Sequence, residues 1–157
     1  MKKDRGKNTC CFVGHRIIHA DKLADMTHAL QKEILQAVAD GYTHFISGFD
    51  EGAGLTAANI VADLKKHNTD LKLEAALPYR GRIKTADQSF HRLLALCDIV
   101  GVYHEDYDPF CFIRRSRRMV FLAGRLIAVY DGSNDSEVCS ALRYAHTQGL
   151  DIRIISL

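Results

Sequence analysis

Apolar residues fall in short blocks, and longer amphipathic stretches separate them. The blocks cover 9–13, 43–47, 72–77, 98–103, 126–130 and 151–156. Several are nearly continuous in apolarity and rich in Val and Ile, as expected of parallel strands covered on both faces. Between them the period becomes helical. Leu23, Met26, Leu30, Ile34 and Val38 recur at spacings of three and four, and Gly41 should stop that helix. Leu55, Ala58, Ala62 and Lys65, with Ile60, Val61 and Leu64, mark a second, more buried helix. Thr85-Ala86-Asp87-Gln88 fits a capping box ahead of Phe90, Leu93, Leu94 and Cys97. Asp108-Pro109 has the form of an N-cap followed by proline at the first helical position. Val138, Ala141, Leu142 and Ala145 form a last stripe that Gly149 ends. Strand alternating with helix from end to end predicts an α/β protein with a parallel sheet and right-handed crossovers.

Composition narrows the class. The chain has 157 residues, 47% hydrophobic and 25% charged, which excludes a disordered chain and a small disulfide scaffold. One domain over 9–157 is expected, with 1–8 as a flexible tail. The net charge of +2 does not point to nucleic acid or to a membrane. The apolar run after the basic start is too short for a signal-peptide core, and no stretch reaches the ~18 residues of a membrane span. The five cysteines form no Cys-x-x-Cys pair and are odd in number, so reduced thiols in a cytoplasm are expected. Cys10 and Cys11 should point to opposite faces of the first strand.

In an open parallel sheet, ligands bind beyond the carboxyl ends of the strands. The segments there are Gly14-His15-Arg16, Gly48-Phe49-Asp50-Glu51-Gly52-Ala53-Gly54, Pro78-Tyr79-Arg80, His104-Glu105-Asp106 and Asp131-Gly132-Ser133-Asn134-Asp135. Glycine, arginine and short polar side chains on one edge suit an anion, because backbone N–H groups can approach it and helix N-termini carry partial positive charge. Arg114-Arg115-Ser116-Arg117-Arg118 is the densest charge in the chain. It serves as a solvated face, as a nucleic-acid patch with little aromatic interleaving, or as the source of one inward arginine, Arg115, that grips phosphate. Gly52-x-Gly54-x-x-Ala57, with Glu74 downstream, matches the dinucleotide fingerprint but begins well past its strand. The histidines lack metal-ligand spacing, so no metal is expected.

Taken together, these segments resemble the YpsA-like branch of the SLOG superfamily, which groups DNA-processing protein A with the LOG phosphoribohydrolases. Cys10-Cys11-Phe12-Val13-Gly14-His15-Arg16 resembles the family's C-C-F-T-G-H-R opening. Ile46-Ser47-Gly48 with Gly52 and Ala57-Ala58 is similar to its glycine loop and following helix. Ala76-Leu77-Pro78-Tyr79, Arg115-Ser116-Arg117-Arg118-Met119-Val120, Leu126-Ile127-Ala128-Val129-Tyr130-Asp131-Gly132 and Tyr144-Ala145 resemble further segments in the same order. The chain departs from the family pattern at Gly54, Asn59 and Ser116, and Ser136-Glu137-Val138 stands where the family has Gly-Gly-Thr. The resemblance implies a Rossmann-like three-layer sandwich with a mostly parallel sheet of about six strands.

It also implies a pocket for a nucleotide-derived ligand. Gly14, His15, Arg16, Gly48, Gly52, Ala53, Gly54, Pro78, Arg115, Gly132 and Ser133 would line it. The expected function is a non-catalytic nucleotide sensor, forming a dimer as related proteins often do, with no cofactor named. Two alternatives stay open. One is a LOG-like N-glycosidase on nucleoside monophosphates, with Glu137 and Arg115 as its catalytic candidates. The other is single-stranded DNA binding.

Overall fold

The computed structural model describes residues 6–157. Its elements are β1 (Thr9–Gly14), α1 (Ala20–Ala39), β2 (His44–Ser47), α2 (Ala53–Lys65), β3 (Lys72–Leu77), a 3-10 turn (Arg80–Lys84), α3 (Gln88–Ala95), β4 (Ile99–Val102), α4 (Cys111–Leu122), β5 (Arg125–Tyr130), α5 (Ser136–Thr147) and β6 (Asp151–Ser156). The six strands form one sheet in the order β4-β3-β2-β1-β5-β6, and every pairing is parallel.

Three helices cover one face of the sheet and two the other, which makes the expected α/β Rossmann-like sandwich. Met26, Leu30, Ile34 and Ala37 of α1, Ala57, Ala58 and Val61 of α2, and Phe90 and Leu93 of α3 pack on Phe12, Phe45, Leu73 and Ile127. Met119 and Val120 of α4 and Val138, Ala141 and Ala145 of α5 pack on Val13, Ile46, Leu126 and Ala128. Strand alternation sends Cys10 into the first layer and Cys11 into the second, as expected. Burial pushes the Cys11 thiol well above its ordinary value, so it stays protonated.

Some boundaries differ from the sequence reading, each for a local reason. The N-cap of α3 is Asp87, whose carboxylate accepts from the N–H groups of Ser89 and Phe90. Thr85 instead accepts from the Asp87 N–H. Asp108 takes the Phe110 N–H at 2.8 Å, so α4 begins at Cys111, later than Asp108-Pro109 suggests. β4 lies at the sheet edge, and Ile99 and Val100 remain nearly half exposed. Of the expected tail, 1–5 lie outside the described residues. Gly6 is buried, and the Asn8 carbonyl accepts from Thr43 and His44, each at 3.0 Å.

This topology places the site. From β1 to β4 the chain steps outward in one direction, then returns to β5 on the other side of β1. The loops after β1 and β5 therefore part toward opposite faces and leave a crevice at the carboxyl edge.

Candidate functional site

Close backbone packing brings the post-strand loops together. A Cβ on Gly14 would stand 2.5 Å from the Ala53 Cβ, so only glycine lets β1 meet the start of α2. Gly52 has φ +77°, and a Cβ there would meet the His15 and Arg16 carbonyls at 2.7 and 2.8 Å. Gly48 lies against a guanidinium, since its Cβ would be 2.6 Å from Arg115 Cζ. These glycines make room for protein atoms. A Cβ on Gly54 would make ordinary contacts, 3.5 Å from the Phe49 N, and Gly132 turns the loop after β5 at φ +85°.

Arg115 does turn inward, and it is 1% exposed. Its Nη1 donates to the carbonyls of Gly48 (2.9 Å) and Ala76 (3.1 Å). Its Nη2 donates to Asp50 (2.5 Å) and to Glu137 (3.1 Å). Burial works against its charge, but Asp50 and Glu137 outweigh burial and hold the guanidinium protonated. Both terminal nitrogens are thus occupied by protein oxygens, and Arg115 joins β3, the glycine loop after β2 and α5.

Glu137 is the convergence point. One carboxylate oxygen accepts from Arg115 Nη2 and Ser116 Oγ (3.0 Å), and the other from Arg16 Nη2 (2.8 Å). Arg16 lies flat on Phe112, with its Cζ 3.6 Å from the ring centroid. Its side chain is 44% exposed, and its Nε and Nη1 carry no hydrogen bond among the described residues.

His15 is buried between two aspartates. Its Nε2 lies 3.0 Å from both the backbone nitrogen and Oδ1 of Asp131, and its Nδ1 lies 3.0 Å from Asp135 Oδ2. The Ser133 hydroxyl and N–H hold the Asp131 carboxyl below its ordinary value. Burial works against the charge on Asp135, yet the N–H groups of Val138 and Glu137 and the His15 ring keep its carboxyl low as well. Asp135 also caps α5 by accepting from those two N–H groups at 3.1 Å, so the helix N-terminus is filled by the protein's own carboxylate.

A cleft of about 560 Å³ opens at this point. His15, Arg16, Asp131, Asp135 and Glu137 form its polar side, and Tyr107, Pro109 and Phe112 its apolar side. Arg16 and Phe112 also wall a neighbouring cavity of about 290 Å³ that holds Asp50, Glu51, Tyr79 and Arg82. Of the residues read from sequence, His15, Arg16 and Glu137 line the cleft. Gly14, Gly48, Gly52, Ala53 and Arg115 lie behind these loops, Pro78 is buried at the end of β3, and Gly132 and Ser133 are exposed in the turn after β5. Glu74 sits three residues short of the end of β3 and pairs with His44 at 2.9 Å, away from this edge.

Sequence reasoning missed Asp131 and Asp135 as lining residues, although both stand in the post-strand segment where glycine drew attention. It also missed Tyr107, from the β4–α4 connection, and Phe112, from the first turn of α4, both of which line the cleft. Among the described residues, no cluster of three or more metal-ligating side chains occurs, and no helix is long and apolar enough to cross a membrane.

Comparison with known proteins follows the same lines. The chain is 30% identical over 122 residues to the UPF0398 protein of Ligilactobacillus salivarius (strain UCC118), covering 74% of this chain and 67% of that one. Its fold is similar to DNA processing protein A of Streptococcus pneumoniae, with a TM-score of 0.67 at 17% identity, over 93% of this chain and 49% of that one. It is also similar to DNA processing protein A of Helicobacter pylori, whose structure is described for its single-stranded DNA binding mode. There the TM-score is 0.62 at 16% identity, over 95% of this chain and 65% of that one. The chain thus spans about half of the first solved relative and somewhat under two thirds of the second. A family model matches residues 18–157, beginning just past Gly14-His15-Arg16. By that match, the chain belongs to the YspA SLOG family.

Proposed function

We propose that the cleft between β1 and β5 binds a nucleotide-derived small molecule, and that Arg16 meets its phosphate. The observation that carries this reading is the state of Arg16. It is half exposed, stacked on Phe112, and has donors to spare. Guanidinium donors of this kind suit phosphate oxygens. The carboxylates of Asp131, Asp135 and Glu137 suit sugar hydroxyls, which need acceptors. They also repel phosphate, so the anionic end of the ligand lies toward Arg16 and the sugar toward α5. Phe112 and Tyr107 supply an apolar wall for a base. Arg115 acts as a positioning residue that holds Glu137 and the glycine loop in place.

Titration calorimetry with adenosine 5′-monophosphate and adenosine tests this. Arg16→Ala is expected to weaken the monophosphate roughly tenfold to a hundredfold, the worth of a charge-assisted contact, and to leave adenosine unchanged. Equal affinity of wild type and variant for the monophosphate overturns the assignment.

One observation favours a second reading. Glu137 presents a carboxylate to the cleft beside two arginines, as cleavage of an N-glycosidic bond would need at an oxocarbenium-like centre. The binding reading expects no free base to be released from nucleoside monophosphates. Base release by the wild type that Glu137→Gln abolishes would replace the sensor with a hydrolase.

A further inference from the structure

The arginine run of α4 divides according to what answers each charge. Arg115 is buried on Asp50 and Glu137, and Arg117 lies on the Tyr144 ring, its Cζ 4.5 Å from the centroid. Arg114 pairs with Asp108, and its Nε donates to His104 Nε2 at 3.0 Å. Arg118 has no hydrogen-bond or carboxylate partner among the described residues, unlike Arg16, Arg80, Arg125 and Arg153. Its Cζ stands 5.6 Å from the Phe121 centroid.

Arg114 and Arg118, one turn apart, wall a groove of about 450 Å³ between α4 and β4. Val102, Tyr103 and His104 form its other side, and Arg115 also lines it. The side chains along it offer donors. An arginine can only donate, so His104 Nε2 accepts from Arg114 and Nδ1 carries the ring's N–H. Burial, and after it the Glu74 charge, pushes the Tyr103 hydroxyl up to about 12, so it stays protonated. Nη1 and Nη2 of Arg115 are taken by protein oxygens, but its Nε is buried without a hydrogen-bond partner. Among the described residues, no carboxylate lines the groove. The acids of the flanking segments are engaged elsewhere, Asp108 by Arg114, Glu74 by His44 and Glu105 by Arg80.

We propose that the groove between α4 and β4 is a second anion site, which takes the phosphate group of a small phosphate monoester. Arginines without an acid among the lining concentrate positive potential there. A monoester carries about −1.5 to −2 charge near neutral pH and presents three terminal oxygens, each an acceptor. Arg118 and the Tyr103 hydroxyl supply donors from the two walls, and Arg114 Nη1 carries no hydrogen bond of its own. Guanidinium forks meet phosphate oxygens in pairs. The charge on the unanswered Arg115 Nε–H adds to the attraction from the floor. The groove is larger than a bare phosphate fills, and Val102 and the Tyr103 ring give the organic remainder an apolar wall. A phosphodiester has one charge and two free oxygens, so it leaves part of the donor set unused. The groove shares no lining residue with the cleft, and the proposal does not depend on what the cleft binds.

Nitrogen-15 correlation spectra of the arginine side chains, recorded while glycerol 3-phosphate is added, test the proposal. The Nε signals of Arg114, Arg115 and Arg118 are expected to shift along one curve that saturates with a Kd of ~1 mM or below. Inorganic phosphate should move the same signals at higher concentration. Dimethyl phosphate at equal ionic strength should give no saturating shift. Arg118→Gln is expected to weaken glycerol 3-phosphate at least about tenfold, and Tyr103→Phe about threefold or more. Arg118→Lys keeps the charge without the fork and should fall between Arg118→Gln and the parent. Arg16→Ala, a cleft variant, should bind at the groove as the wild type does. Circular dichroism checks folding. If Arg118→Gln unfolds, Arg118→Lys and Tyr103→Phe decide, and parental affinity in both overturns the proposal. It is also overturned by the absence of a saturating shift, by Arg118→Gln binding as the parent, or by inorganic or dimethyl phosphate binding as tightly as glycerol 3-phosphate. Loss of the shifts in Arg16→Ala overturns it too, since the ligand would then sit in the cleft.

Discussion

Arg115→Ala is expected to destabilise the protein by about 3–5 kcal/mol, the cost of removing one partner from a buried ion pair. The loss comes from what remains. Asp50 and Glu137 would face each other across the vacated site, and the carbonyls of Gly48 and Ala76 would lose their donor. Buried groups left in that state bear their full desolvation cost. At roughly 2–4 °C per kcal/mol for a chain of this size, the melting temperature should fall by about 10 °C. Thermal and urea unfolding monitored by circular dichroism measure both. Combining Arg115→Met with Asp50→Asn and Glu137→Gln should recover part of the loss, because no unpaired charge then remains. A single variant as stable as wild type would mean that Arg115 does not hold the loops, and that its inward turn serves a ligand instead.

Gly52→Ala should be nearly as costly, at roughly 2–4 kcal/mol. Its φ of +77° strains any L residue, and the new Cβ would press on two backbone carbonyls that cannot rotate aside. The β1–α1 loop carrying His15 and Arg16 would have to move. Binding of adenosine 5′-monophosphate should therefore fall together with stability, whereas Arg16→Ala should reduce binding alone. If Gly52→Ala melts with the wild type, the loops are not packed as tightly as these distances require. Gly54→Ala is the natural control, since its Cβ would make only ordinary contacts.

These two positions show where sequence reading is strong and where it stops. The strand and helix periods in the primary structure locate all six strands and the helices between them, because burial on two faces leaves a short-range pattern. Topology adds which loops meet. Glycine at 48 and 52 reads as a cradle for an outside anion, and the family resemblance points the same way. In the fold those glycines accommodate Arg115 and the His15–Arg16 backbone. Spacing along a chain records that something must approach closely, but not whether that something is ligand or protein. The same limit hid the aromatic partner of Arg117, since Tyr144 comes from the next helix.

By itself, then, the order of residues determined the α/β class, the sheet edge where glycine, arginine and short polar side chains collect, and Arg16 and Glu137 as residues to watch. Only the tertiary structure decided how charge is shared there. It committed Arg115 to Asp50 and Glu137, filled the start of α5 with Asp135, and left Arg16 with donors free. The reason is physical. Local pattern reports burial and backbone conformation, which neighbours in sequence determine. The partner of a charged group is chosen among side chains distant in sequence, and that choice exists only once the sheet has brought them together.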